Sequence, residues 1–129
     1  MDELDVRQKM KNSQAELLEQ LAWRRRSREE ILEELQSYGW DSDTNYLVIP
    51  PAAIINVIDL RLEDSISERE LIEWAGDFEC REDVTYEDGD GNVLSKIVFL
   101  LANPEINYQL SDNNLRMMKL RCSAKAKEA

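Results

Sequence analysis

Apolar residues recur at intervals of three and four along most of this chain, and short polar or Gly/Pro-containing breaks divide the recurrence into segments. Leu17, Leu18 and Leu21 share one helical face, with Trp23 beside them, and Ser13 with Glu16 is spaced as a capping box just ahead. A second such pair, Ser27 with Glu30, precedes Ile31, Leu32, Leu35 and Tyr38, and Gly39 is a C-terminal stop. Residues 13–38 therefore read as one long helix, bent near Ser27, or as two helices with a break there. In heptad register Met10, Leu17, Leu21, Ile31, Leu35 and Tyr38 form a seam that Arg24 and Arg28 interrupt, which argues against an extended coiled coil.

The pattern changes at Trp40. Trp40 to Asn45 is polar and reads as a loop, and Tyr46-Leu47-Val48-Ile49 is a strand-like connector, because the residue before Pro50 is driven toward extended geometry. Pro51 suits the first turn of a helix. In the helix that follows, Ile54, Val57, Ile58 and Leu62 make one face and Ile55 widens it, as expected of a largely buried element. Ser67 and Glu70 form a third capping box, followed by Leu71, Ile72, Trp74, Ala75 and Phe78. The short link Glu63–Ile66 predicts contact between these two helices, with Trp74 and the Ile54/Ile58 face in one core.

Residues 92–102 admit two readings. A hairpin would pair Val84–Glu87 with Val93–Leu101 across the Asp-Gly turns. The spacing of Val93, Leu94, Ile97, Val98 and Leu101 favours a helix with Asn92 near its N-cap, ending before Pro104. A last helix starts near Leu115 and passes into a basic, Ala/Lys-rich tail. The expected fold is a single all-α domain over residues 1–129. It is a compact bundle of about five helices with a long N-terminal one, frayed over 1–12 and 122–129.

Charge sharpens this picture. The formal net charge is -11, and it is uneven: residues 1–40 carry -2, residues 41–110 carry -12 and residues 111–129 carry +3. From Asp77 to Asp90 there are seven carboxylates, namely Asp77, Glu79, Glu82, Asp83, Glu87, Asp88 and Asp90, with Arg81 as the sole cation and Tyr86 among them. An aromatic amid carboxylates suits a protein-binding surface that steers a basic partner, and it repels nucleic acid and anionic membrane. The bland alternative is a solvated acidic loop. The arginine run at 24–28 reads in the same way, as a solvated face paired with Glu29, Glu30, Glu33 and nearby carboxylates, with a small nucleic-acid patch as the alternative.

Candidate catalytic chemistry is sparse. The chain contains no histidine, no Gly-rich phosphate loop and no Ser or Cys with a plausible base, so the reading is not an enzyme and no cofactor is expected. Asp41-Ser42-Asp43-Thr44-Asn45 and Asp88-Gly89-Asp90-Gly91-Asn92 open like calcium loops. Both then fail: Tyr46 and Val93 replace the sharp-turn glycine, and Ala52 and Phe99 replace the bidentate glutamate. Both read as turns. Cys80 and Cys122 are too few for a disulfide scaffold. No apolar run is long enough to span a membrane and Met1 begins no signal peptide, so the expected location is the cytoplasm.

Three blocks carry a resemblance: Ile66-Ser67-x-x-Glu70-Leu71-x-x-Trp74-Ala75, Glu79-x-Arg81-x-Asp83-Val84-x-Tyr86-Glu87 and Leu101-Ala102-Asn103-Pro104-Glu105-Ile106-Asn107. Together they cover about a third of the chain. Their spacing resembles a family of small acidic bacterial proteins associated with immunity in polymorphic toxin and contact-dependent inhibition systems. Tyr108 departs from the glycine expected after the final Asn. The resemblance implies stoichiometric neutralisation of a cognate toxin, without catalysis. The expected partner is basic, a toxin domain, met by Asp77, Glu79, Glu82, Asp83, Tyr86, Glu87, Asp88 and Asp90. The alternative is a structural or regulatory subunit that self-associates through its N-terminal helix.

Overall fold

The computed structural model describes residues 13–38, 46–79, 81–89, 91–105 and 109–128. The readings of the first twelve residues, of Gly39 and Trp40–Asn45, and of Cys80, Asp90 and 106–108 lie outside the described residues. In chain order the elements are α1 (Gln14–Ala22), α2 (Arg28–Leu35) with a 3-10 turn (Gln36–Tyr38), β1 (Leu47–Ile49), α3 (Pro51–Leu62), α4 (Glu68–Glu79), β2 (Val84–Tyr86), α5 (Val93–Ala102) and α6 (Asp112–Glu128). The described residues are mostly helical, with one short sheet of two strands among them.

The long N-terminal helix is replaced by two short ones, and the reason is local. The backbone turns at Arg24, whose φ is +53°. The Arg25 N–H bonds the Gln20 carbonyl at 2.9 Å and the Arg24 N–H bonds that of Leu21 at 3.3 Å. This is a Schellman ending, with arginine in the left-handed position usually given to glycine. Ser27 restarts the chain as α2, its Oγ accepting from the Glu30 N–H. The capping boxes at Ser13/Glu16 and Ser67/Glu70 are reciprocal, with side chain and backbone bonded in both directions. A second Schellman ending closes α3, with Asp64 at φ +60° and the Ser65 N–H on the Leu60 carbonyl at 2.8 Å.

β1 and β2 pair in parallel, with Leu47 opposite Val84 and Ile49 opposite Tyr86. Parallel partners need a long crossover, and α3 and α4 supply it. The connector at 46–49 is thus a real strand, and its partner is the segment that the hairpin alternative would have paired with 93–101. Residues 93–102 are helical instead.

One core joins the elements. Leu17, Leu18, Leu21, Ile31 and Leu35 of the first two helices are buried together with Ile54, Val57, Ile58, Leu71, Trp74, Phe78, Leu94, Ile97 and Leu101. Trp74 donates from Nε1 to the Ala22 carbonyl at 2.9 Å and meets Phe78 edge-on at 5.2 Å. The expected shared core of Trp74 with Ile54 and Ile58 is present. The principal neighbours differ from the expected ones, however: α3 packs chiefly along α6, and α4 chiefly along α5. Residues 112–128 form one helix, anchored where Leu115, Met118 and Cys122 fall three and four apart and are all buried. Among the described residues no helix is long and apolar enough to cross a membrane.

Candidate partner-binding surface

The turn at Arg24 carries the arginine run over α4, where Glu70, Glu73 and Asp77 stand on one stripe of successive turns. Arg24 Nη2 reaches Glu70 at 3.2 Å. Arg28 grips Asp77 with two hydrogen bonds, Nε at 2.7 Å and Nη2 at 2.8 Å, and lies 3.8 Å from Glu73. Arg26 bonds Glu34 and Gln20, and Arg25 bonds Glu19. The carboxylates that pair with the run are therefore mostly not its sequence neighbours: Arg24 and Arg28 reach across the fold to α4, and of Glu29, Glu30 and Glu33 Arg26 meets Glu30, at 3.4 Å. Between the break and α4 lies a cleft of about 210 Å³ with Leu21 and Trp74 among its lining. It falls below the size of ordinary small-molecule pockets, and its cations already hold carboxylates.

Burial and pairing pull the two inner carboxylates in opposite directions. Burial pushes the Asp77 carboxyl above its ordinary value, and the bonds from Arg28 offset this only in part. The same pair raises the Arg28 guanidinium. Asp83 is fully buried, and burial alone would raise it too. Arg81 bonds it with Nε at 2.8 Å and Nη2 at 2.9 Å, Gln14 Nε2 adds a third bond at 2.7 Å, and together these hold its carboxyl below the ordinary value. The one cation in the acidic run is thus spent inside the protein, as is Asp83.

The remaining acidic positions separate by exposure. Glu79 is half-buried and accepts from Asn103 Nδ2 at 3.0 Å. Tyr86 is buried in the core. Asp88 turns its Oδ2 to the Leu94 N–H at 3.2 Å and so caps α5 in place of Asn92. Gly89 and Gly91 sit at φ +87° and +77°, as a turn requires. Asp90 lies outside the described residues. Of the eight positions that the sequence grouped, the seven described ones differ in exposure. Asp77, Asp83 and Tyr86 are held inside, and Glu82 and Glu87 are exposed, one before and one after β2.

What the acidic run did not reveal is the apolar ground beside it. Tyr46 and Val48 are exposed at 42% and 52%, and as alternate residues of an extended segment they share a face. The Tyr46 N–H bonds the Asp83 carbonyl at 2.7 Å, and the Glu87 N–H bonds the Ile49 carbonyl at 3.0 Å. Those bonds lay the backbone of Asp83 beside Tyr46 and that of Glu87 beside Ile49, so the exposed Glu82 and Glu87 follow in sequence just outside the two ends of the paired segment. Period-two alternation would have been the signal, but Tyr46-Leu47-Val48-Ile49 is uniformly apolar and hides it. Among the described residues no group of three or more His, Cys, Asp or Glu is arranged to hold a metal ion. No family model, curated protein or solved structure matches the chain.

Proposed function

We propose that this chain is a non-catalytic protein-binding domain, and that, as the resemblance implies, it neutralises a basic toxin domain by stoichiometric binding. The observation that carries the reading is the Tyr46/Val48 strip with Glu82 and Glu87 at its two ends. An apolar centre with a charged rim is the anatomy of an interface, and exposed carboxylates steer a basic partner toward it. Among the described residues Glu82 and Glu87 are the exposed carboxylates of this surface, and the buried Asp83 and Tyr86 lie beneath it. Self-association through the N-terminal helices finds no such support, since Leu17, Leu18, Leu21, Ile31 and Leu35 are used in the core.

The test is the association rate against ionic strength, measured with a toxin domain encoded beside this chain. Glu82→Lys with Glu87→Lys should slow association and flatten its salt dependence, while Val48→Asp should speed dissociation. A partner that binds both variants at the wild-type rates docks elsewhere, and the reading then fails.

A further inference from the structure

The exposed large apolar side chains of the described residues fall into two places. Tyr46 and Val48 lie on the acid-ended strip. Phe99, Met117 and Leu120 lie on α5 and α6, and Met117 and Leu120 are exposed at 54% and 65%. Met117, Leu120 and Ala124 follow one another at three and four residues along the outer face of α6, opposite the buried Leu115, Met118 and Cys122. Exposed Arg116 and Arg121 flank that stripe. A slot of about 130 Å³, lined by Leu100, Asn114, Met117, Met118 and Arg121, opens beside it. On a chain of net charge -11, this is an apolar patch with a basic rim.

We infer that the α6 stripe docks the Tyr46/Val48 strip of a second copy of this chain. Charge selects this occupant. A symmetric contact of α6 with α6 would set Arg116 and Arg121 against the same residues of the other copy. A symmetric contact of strip with strip would oppose Glu82 and Glu87 in the same way, and like charges across an interface are unfavourable. Only the crossed contact places apolar on apolar and base on acid. Such a crossed contact closes as a two-fold dimer where both pairs of patches meet at once, and otherwise leaves one patch free on each end copy and continues into rings or chains. This inference goes beyond the proposed partner reading and is tested on the protein alone. It implies that a basic partner seated on the strip competes with self-assembly.

Sedimentation velocity over a range of protein and salt concentrations tests it. The weight-average mass should rise above that of a monomer with concentration and fall with added salt. Leu120→Ser with Arg121→Gln, and separately Val48→Ser with Glu87→Gln, should each sediment as a monomer with unchanged circular dichroism. An equimolar mixture of the two variants should stop at a 1:1 dimer, since one intact patch of each kind remains. The inference is overturned by wild type that stays monomeric throughout, by a dimer that neither variant weakens, or by a mixture that stays monomeric. It is overturned equally if the stripe on monomeric wild type binds vesicles of anionic lipid instead.

Discussion

Arg28 and Asp77 lie 49 positions apart, yet two hydrogen bonds of 2.7 and 2.8 Å join them side by side. The pair fastens the start of α2 to the last turns of α4, with Asp77 almost wholly shielded from solvent. It accounts for an arginine at a position where a continuous helical seam would need an apolar residue. Arg28→Ala should cost about 1.5–3 kcal/mol, the range for hydrogen bonds to charged groups, because it strands the Asp77 carboxylate. A denaturant midpoint equal to wild type would show the pair to be idle.

Asp83 should matter more. Its carboxylate is fully buried between Arg81 and Gln14, so Asp83→Ala leaves a buried guanidinium without that partner. The expected loss is about 3–5 kcal/mol, against little change for the exposed Glu82→Ala. Equal stabilities of the two variants would contradict the burial of Asp83.

The two inner carboxylates should also differ in their response to acid. The Asp83 carboxyl is held below its ordinary 3.8 in the fold, so the unfolded chain binds its proton first. Its contribution is present above pH 3.8 and is lost as pH falls through the folded value. The Asp77 carboxyl is held above 3.8, so the folded protein binds the proton first and stability from this group increases as pH falls through its folded value. Denaturation curves across this range should therefore show the advantage of wild type over Asp83→Asn shrinking in acid, and that over Asp77→Asn growing. The same slope for both variants would refute the assignment.

Trp74 combines full burial with a hydrogen bond to Ala22. Trp74→Ala should lose about 3–5 kcal/mol. Trp74→Phe keeps an aromatic ring on Phe78 but strands the Ala22 carbonyl, and unfolding midpoints should place it between wild type and alanine.

Cys122 is buried on the inner face of α6, and burial, with the charge of Asp88 adding to it, pushes its thiol up to about 12. In a Cys80→Ser background it should resist alkylation in the folded protein and react promptly on unfolding. Rapid native labelling would mean that the tail beyond Met118 opens, as fraying from 122 would require.

The local sequence determined the local elements. Ser13/Glu16, Ser27 and Ser67/Glu70 mark helix starts because each cap is made by groups three residues apart, and Pro50-Pro51 and Asn103-Pro104 mark boundaries because proline acts on its immediate neighbours. The helix over 93–102 was favoured by its period, against a hairpin that the Asp-Gly turns also allowed. Tertiary structure decided what depends on distant partners. Ser27 allowed a break in the sequence, but the arginine in the left-handed position at Arg24, which also reaches Glu70 on α4, carries no local signal of its own. Val84–Tyr86 becomes a strand through Leu47–Ile49, which only the crossover brings alongside. The acidic run shows the same limit. Composition assigns Asp83 and Glu82 the same character, but Arg81 and Gln14 draw one inside and leave the other on the surface, because the desolvation of a carboxylate is offset only where donors converge on it.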